Sequence, residues 1–347
     1  MAAPLTLVPL TGPWHLRHPR WNVVVVREAL ESHAPDRVAT TALAPGYPAD
    51  PDWRSTDEVA LPWTLVPWAA DRGTPLVGVG AAAPVAGAPA DFERFLAGYA
   101  GARVALDEAA AALAPLRERL PRPIDLAGLL TDVLPPLAAD LRLRLAAFGD
   151  GPATAWRGER AASVVERALA LGGQRAALLV ELDLWPAVVH ALEERGADWA
   201  AVAAPPPSPA ARRRALLDVA WQGEAPDVAG LLGQLREGDE PEARFLEAQL
   251  LLAHDHAAEA LEVLEEASHG DFREPYLLPG MLLARLGQLR DLAGRRDRAL
   301  QAYRGALALA WAPAEARAVA RAGLEAPFGL VEEHGTPDAP DDEATDA

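Results

Sequence analysis

Five short apolar runs within residues 1–204 constrain the fold of this chain more than any other feature. Each run is bounded by glycine, proline or charged residues, which is typical of buried strands in a parallel sheet. The runs are Leu5–Leu10, Arg37–Leu43, Pro75–Val79, Ala176–Leu182 and Trp199–Ala203. Because helical patterns separate them, the sequence predicts βαβ units and an α/β domain with a mostly parallel sheet.

Two of the intervening segments need separate treatment. Residues 22–33 begin with Val23–Val26, which favour a strand, but Arg27–Glu31 continues as a helix and Pro35-Asp36 interrupts the pattern before the next strand. We therefore predict a helix there. Residues 91–172 have helical patterns throughout, and we expect them to form an insertion that packs over one edge of the sheet.

A proline-rich stretch divides the chain. Residues 204–209 read Ala-Pro-Pro-Pro-Ser-Pro, which is a stiff, extended spacer with few amide donors for a helix or a sheet. We therefore predict an α/β domain over 1–204, a linker over 205–209 and an all-α helical-repeat domain over 210–325. Residues 326–347 are rich in proline and acidic residues, and we expect this tail to be disordered.

Composition excludes several classes of function. The 32 basic residues, all arginine, face 50 acidic ones, and the formal charge of −18 argues against nucleic acid as the main partner. The absence of cysteine excludes disulfides, thiolate zinc sites and cysteine nucleophiles. No apolar run approaches a membrane span, and the N-terminus lacks the pattern of a signal peptide. A cytoplasmic protein without membrane partners is expected.

The first predicted strand leads into a turn with two histidines. The turn reads Gly12-Pro13-Trp14-His15, and His18 follows three residues later. Side chains placed after a parallel strand lie at its carboxyl end, where open α/β folds bind ligands. His15 and His18 could thus present imidazoles to a metal or a substrate, or they could be surface or capping histidines.

A second set of motifs carries a family resemblance. Residues 158–169 begin with Gly158-Glu159-Arg160, and residues 177–192 form a strand, a proline and a helix. Together with the Gly-x-x-His turn and the strand after Pro35-Asp36, this order resembles the TraB/ChaN/Tiki superfamily. That superfamily includes Tiki-type metalloproteases, haem-binding ChaN proteins and erythromycin-esterase-like hydrolases. The resemblance covers about residues 5–204.

The resemblance implies site residues, and the chain departs from some of them. Gly12 and His15 match the first Gly-x-x-His motif, and Arg160 matches the Glu-Arg helix start. The second Gly-x-x-His motif is replaced by Glu181-Leu182-Asp183-Leu184. We therefore predict a degenerate site in which Glu181 or Asp183 serves as a substitute carboxylate, or in which both simply lie in a solvated turn after the strand.

The C-terminal part resembles tetratricopeptide repeats. The small and aromatic positions that carry this resemblance are Gly287, Gly294, Ala299, Tyr303 and Ala306, with an earlier copy at Ala248, Asp255, Ala260 and Ala267. Ala260 and Ala299 lie 39 positions apart, so the usual period contains an insertion. Arg290 replaces the usual aromatic residue. The resemblance implies a groove for a peptide or partner helix, in which we place Arg290 and Tyr303.

Three other patterns have ordinary explanations. His254-Asp255-His256 could be a metal clip, but it falls where a loop between helices is expected. Arg212-Arg213-Arg214 is more typical of pairing with nearby carboxylates than of a nucleic-acid contact. The ten tryptophans mostly stand beside prolines or in apolar runs, as core residues do.

Two hypotheses about function follow. The first is a non-catalytic interaction protein that binds a protein or peptide through its helical repeats and whose α/β domain has a degenerate pocket. The second is a metal-dependent hydrolase or haem-binding protein that uses Gly12, His15, His18, Arg160 and Glu181 or Asp183. The sequence assigns no cofactor. An enzyme should gather His15, Arg160 and Glu181 or Asp183 around one pocket, whereas a scaffold need not.

Overall fold

The computed structural model describes residues 4–47, 56–80, 94–149, 154–223, 227–272 and 274–329. It contains a five-stranded, fully parallel sheet with the order β3-β2-β4-β1-β5. The strands are β1 (Leu5–Leu10), β2 (Arg37–Thr40), β3 (Leu76–Gly78), β4 (Ala176–Glu181) and β5 (Trp199–Ala201). The predicted parallel sheet is confirmed. The predicted acidic tail lies almost wholly in residues 330–347, outside the described ranges.

Seven α-helices of six or more residues occur in the described residues before the proline-rich stretch. They are α1 (Val23–His33), α2 (Val66–Arg72), α3 (Ala100–Ala112), α4 (Ala114–Arg119), α5 (Leu134–Phe148), α6 (Ala155–Ala170) and α7 (Trp185–Glu194). Helix α1 confirms the prediction that Val23–Val26 belong to a helix and not to a strand. The Asn22 side chain accepts the N–H groups of Val24 and Val25, and this cap outweighs their preference for a strand. Residues 91–93 and 150–153 of the predicted helical insertion lie outside the described ranges.

Both faces of the sheet are buried. Along β4, Ala177 and Leu179 belong to one core cluster, while Leu178 and Val180 belong to the other. This alternation is the two-residue period of a strand covered on both sides, and it explains why the strands read as continuous apolar runs. The first cluster also includes residues of α1 and α2, and the second includes residues of α6 and α7.

The helical insertion reaches both clusters rather than packing only over one edge. Ile124 and Leu129 lie in the first cluster, whereas Leu134 and Leu141 at the beginning and middle of α5 lie in the second. A turn of π-helix over Leu129–Val133 leads into α5 and carries the chain from one cluster to the other. The insertion can therefore cover the carboxyl end of the sheet.

The remaining described chain is helical. Its helices are α8 (Pro209–Gln222), α9 (Val228–Arg236), α10 (Pro241–Ala253), α11 (Ala257–Ala267), α12 (Leu278–Leu292), α13 (Arg296–Ala308) and α14 (Ala314–Glu325). From α9 onwards, successive helices pack against each other, α12 against α13 most extensively. A Cβ atom on Gly287 would lie 2.3 Å from the Tyr303 ring, so the two helices cross closely there. A helical C-terminal part is confirmed, and its assignment as tetratricopeptide repeats stays a prediction.

None of the helices in the described ranges is both long and apolar enough to cross a lipid bilayer.

Helix α8, which follows the proline-rich stretch, packs directly on the α/β part. The Asn22 side-chain amide donates to the Ala211 carbonyl oxygen over 2.9 Å, and the Trp63 and Trp221 rings lie 5.2 Å apart between centroids. Ala211 itself belongs to the first core cluster. The proline-rich stretch therefore joins two parts of the chain that share a core, and the predicted domain boundary stays a prediction.

Candidate functional site

A cavity of about 290 Å³ lies where strands β1 and β4 end. Leu10 pairs with Glu181 at the last register position of the two strands, so the residues that follow them meet at one place. The cavity is lined by Leu10, Thr11, Gly12, Trp14, Asp57, Glu58, Leu116, Leu120, Val133, Leu137, Glu181, Leu182 and Asp183. Of the predicted site residues, Gly12, Glu181 and Asp183 thus surround a single cavity, at the end of the sheet where parallel folds place ligands.

Glu58 is the central residue that the sequence reasoning missed. Its Oε2 accepts the Gly12 N–H over 2.8 Å, and its Oε1 accepts the Ala60 N–H over 2.9 Å. Burial raises the pKa of Glu58 to about 7, although both hydrogen bonds act in the opposite direction. A carboxylate directly before the apolar run of residues 59–66 was the available signal, because such a side chain enters the core with that run.

His15 lies against the Glu58 carboxyl group and is not part of the cavity wall. The imidazole is fully buried: its Nδ1 lies 2.8 Å from the Trp21 carbonyl oxygen, and its Nε2 accepts the Thr11 N–H over 3.1 Å. These contacts assign the hydrogen to Nδ1 and make the ring neutral. Burial lowers the pKa of His15 to about 4. Nε2 also lies 3.4 Å from Glu58 Oε1, so His15 does not line the cavity itself but contacts two residues that do, Glu58 and Thr11.

His18 does not join His15 at the cavity. Its ring is buried and stacks near the Trp14 ring, with 6.4 Å between centroids. Neither ring nitrogen has a hydrogen-bond partner in the described part of the chain. Burial, followed by the proximity of His15, lowers the pKa of His18 to about 4. The predicted pair of imidazoles facing one ligand is therefore not formed.

Glu181 is fixed by two residues from other elements. Its Oε2 lies 3.3 Å from Arg160 Nη2 on α6 and accepts the Thr41 hydroxyl over 3.1 Å. The Glu181 N–H donates to the same Thr41 oxygen, again over 3.1 Å. Burial raises the pKa of Glu181, and the neighbouring Asp183 raises it further against the opposing effect of Arg160. The structure thus brings Arg160 and Glu181 together and adds Thr41, which the sequence reasoning did not identify.

The donor atoms do not provide the metal or haem ligands that the family resemblance implies. Among the described residues, no group of three or more His, Asp or Glu side chains could hold a metal ion. Haem iron needs an axial ligand such as a histidine nitrogen, and both nitrogens of His15 are already engaged. These residues fit neither group.

The two residues predicted for a repeat groove have structural partners instead. Tyr303 has no exposed surface, and its hydroxyl donates to Asp291 Oδ2 over 2.9 Å. The prediction that Tyr303 lines a partner groove is wrong, because small residues of α12 and α14 enclose its ring. Arg290 Nε lies 3.2 Å from Glu265 Oε1. Arg290 therefore ties α12 to α11 through an ion pair.

Two other expectations concern charged residues of the helical part. Arg213 pairs with Glu240 over 2.8 Å, and Arg214 pairs with Asp218 and Glu242 over 2.8 and 2.7 Å. The predicted pairing of the arginine run with nearby carboxylates is confirmed for these two residues. His254 stands in the connection between α10 and α11, with its Nδ1 2.8 Å from the Leu250 carbonyl oxygen.

Comparisons with known proteins return nothing for this chain: no family model, no curated protein and no solved structure matches it. The superfamily and repeat resemblances accordingly stay predictions.

Proposed function

We propose that the protein is a hydrolase that acts on a small molecule at the carboxyl end of its parallel sheet. The observation that carries this proposal is Glu58, a buried carboxyl group on the cavity wall whose pKa of about 7 suits a general base at neutral pH. The cavity volume falls at the lower end of the usual range for small-molecule sites, so the substrate is small.

The chemistry needs only side chains and water. Ionised Glu58 removes a proton from a water molecule as that water attacks the carbonyl carbon of an ester. The tetrahedral oxyanion gains stabilisation from Arg160, the cation beside Glu181. Glu58 then returns the proton to the leaving alkoxide, so that the products are a carboxylic acid and an alcohol. His15 acts as a positioning residue, because its neutral ring lies against Glu58 without reaching the cavity wall.

The arrangement favours this hypothesis over the scaffold hypothesis. Of the residues that an enzyme was expected to gather around one pocket, Glu181 and Asp183 line the cavity, whereas His15 and Arg160 contact residues of its wall. Glu58 links His15 to the cavity, and Arg160 contacts Glu181 on the wall of the same cavity. The predicted groove residue Tyr303, by contrast, is enclosed by packing.

Hydrolysis of short-chain 4-nitrophenyl esters by the purified full-length protein tests the proposal. We expect the rate to rise with pH through about 7, the pKa of Glu58. Glu58→Gln should reduce kcat by a factor of about 10²–10⁴, the usual contribution of a general base. Glu262→Gln, which removes an exposed carboxylate on α11, is the matched control. Equal rates for wild type and Glu58→Gln would exclude this role.

Elemental analysis of the same preparation adds an independent outcome. Stoichiometric metal or haem in the active protein would replace the side-chain mechanism with the cofactor-dependent alternative. Activity that survives chelation in metal-free protein supports the proposed use of Glu58.

A second candidate function is binding of a protein partner through helices α10–α14. The observation that favours it is the succession of packed helices with small residues at their crossings, such as Gly287 against Tyr303. Cross-linking of the full-length protein to a co-purified partner tests it. Cross-links within residues 241–325 support this function, and cross-links confined to residues 1–204 contradict it.

A further inference from the structure

A second cavity, of about 420 Å³, lies beside the outer strand β5 and shares no lining residue with the cavity proposed for hydrolysis. Its walls include residues 134–145 of α5, residues 185–193 of α7, and Trp199 and Ala201 of β5. At a rise of about 1.5 Å per residue, the two helical walls are roughly 16 Å and roughly 12 Å long. The cavity is therefore an elongated groove, which we call the β5 groove.

The surface of the β5 groove is mostly apolar. Leu145 of α5 lines it, together with Trp185 and Val189 of α7. The exposed side chains of Arg142 and Glu193 add one charge of each sign. An apolar groove alone fits many kinds of molecule, and the main chain of β5 is the feature that distinguishes between them.

Strand β5 has unpaired main-chain groups along one edge. Its Trp199 and Ala201 are paired in register with Leu5 and Leu7 of β1. In this parallel pairing, Leu5 and Leu7 form their hydrogen bonds with the neighbours of Trp199 and Ala201. The N–H and C=O groups of Ala200 therefore point to β1, and those of Trp199 and Ala201 point out of the sheet. Within the described ranges, these outward groups form no hydrogen bond.

The unpaired groups lie at the groove itself. The two β5 residues that line it, Trp199 and Ala201, are the two whose main chain points outward, and Ala200 is not part of the lining. Their N–H and C=O groups present alternating positive and negative partial charges that repeat every two residues, or about 6.6 Å. An extended peptide backbone carries the complementary charges at the same spacing. None of the three β5 residues is charged or a proline, the usual protection of a sheet edge.

We propose that the β5 groove binds an extended peptide, which adds to β5 as a further strand and packs apolar side chains from alternate positions between α5 and α7. The length of the helical walls suits about four or five extended residues. An acyl chain would fill the apolar space but leave the outward N–H and C=O groups unpaired. A second copy of the chain would bring a further net charge of −18 to this edge.

Backbone-methylated peptides test the main-chain pairing. The probe is acetyl-Lys-Ser-Val-Ser-Val-Ser-Glu-amide, whose valines share one face of an extended chain. Two derivatives carry N-methyl groups either on both valines or on the two serines that precede them. Because the N–H groups of successive residues point to opposite edges of a strand, the methyl groups of one derivative alone face β5.

We expect calorimetric titration of the full-length protein to separate the two derivatives. One should bind about tenfold or more weakly than the parent peptide, since two hydrogen bonds are lost, and the other should bind within about twofold of it. Equal affinities of the two derivatives would overturn the proposal.

Matched variants of the protein locate the binding. Ala138→Trp fills the groove from the α5 wall and should weaken peptide binding about tenfold or more. Ala146→Trp, at an exposed position of the same helix outside the groove, is the control and should change the affinity less than about twofold. Ala201→Pro removes an outward N–H group without removing a hydrogen bond to β1, and should also weaken binding. Peptide binding unchanged by Ala138→Trp would contradict the site.

The other two occupants give different results. Binding of dodecanoate that Ala138→Trp abolishes, with no response of the peptide to N-methylation, would assign the groove to an acyl chain and overturn the proposal. Sedimentation of the full-length protein as a dimer that Ala201→Pro converts to a monomer would assign the edge to a second copy and overturn it as well. A monomer that binds the peptide in the N–H-dependent manner supports the proposal.

Discussion

The molecule buries charge in two different ways at the end of its sheet and in its helical part. Glu58 is buried beside a neutral imidazole, with backbone N–H groups as its hydrogen-bond donors. Arg214 is buried between Asp218 and Glu242, with Trp63 packed on its guanidinium 5.0 Å from the ring centroid. The first arrangement surrounds its carboxyl group with backbone N–H groups alone, whereas the second pairs its carboxyl groups with an arginine, although burial still raises the pKa of Asp218 to about 7.

This difference distinguishes buried charges that connect helices from buried carboxyl groups at the candidate site. The helical part uses arginine–carboxylate pairs such as Arg213 with Glu240 to connect successive helices. At the end of the sheet, burial instead raises the pKa values of two carboxyl groups, Glu58 and Glu181, of which Glu181 lies beside Arg160. The three predictions below test that contrast, beginning with the largest expected effect.

Removing Arg214 should reveal how strongly the helical part depends on charge pairing. Arg214→Met leaves Asp218 and Glu242 buried without their cation, and we expect a loss of about 3–5 kcal/mol in the free energy of unfolding. Arg212→Met is the matched control, because Arg212 is exposed and bonds only a backbone carbonyl group. Urea denaturation of both variants provides the measurement. A loss in Arg214→Met no greater than that in Arg212→Met would refute the contrast for the helical part.

The pH dependence of the free energy of unfolding should show the effect of the raised pKa of Glu58. Because its folded-state pKa of about 7 lies above the ordinary value of 4.5, its contribution favours folding below pH 4.5 and is lost as the pH rises through about 7. That contribution amounts to about 3 kcal/mol. Burial also raises the pKa of Asp218 to about 7, so Asp218 adds a loss of the same sign. Glu58→Gln should therefore remove only part of the fall in stability between about pH 5 and pH 8, as measured by urea denaturation.

His15 supplies an internal control with the opposite sign. Its folded-state pKa of about 4 lies below 6.5, so its contribution is present above pH 6.5 and is lost as the pH falls towards 4. Glu58→Gln should keep this acid-side loss and reduce the alkaline one, of which the part due to Asp218 remains. Parallel stability profiles for wild type and Glu58→Gln would mean that Glu58 does not retain its proton in the folded state.

Overpacking a helix crossing should have the smallest of the three effects. Ala299 is fully buried and packs in the cluster that contains Tyr303 and Ala306, so Ala299→Leu should cost about 1–3 kcal/mol. Ala308→Leu adds the same side chain at an exposed position of the same helix and should cost much less. Thermal or urea unfolding compares the two variants. Similar stabilities would show that the crossing between α12 and α13 is loosely packed.

Much of the fold could be predicted because local patterns determine it. The five strands are buried on both faces and therefore appear as unbroken apolar runs, and Asn22 marks the beginning of α1 directly. The path of the helical insertion was harder to predict, because an apolar helix pattern does not show which face of a sheet the helix covers. Ile124 and Leu141 belong to different clusters although they occur in one continuous helical pattern.

The candidate site was predictable only where residues follow a strand. Gly12 was found because it follows a parallel strand at the end where ligands bind. Glu181 and Asp183 were found because they stand where the family resemblance places its second Gly-x-x-His motif, after the late strand. Glu58 lies 46 positions from Gly12, to which it is hydrogen-bonded, and no periodic signal connects them. His15 was correctly placed near the site, but its hydrogen bonds to Thr11 and Trp21 depend on the tertiary fold.

The packing of α8 on the α/β part has a consequence for how the chain unfolds. The Gln222 side chain is hydrogen-bonded to the carbonyl oxygen of Leu16, in the same 3₁₀-helix over Gly12–Arg17 that begins at the cavity. Heating that frees α8 would therefore release the turn that holds the cavity wall. Sheet and helices should melt in one cooperative transition, and a molecule bound in the cavity should raise the melting temperature of the distant helices as much as that of the strands.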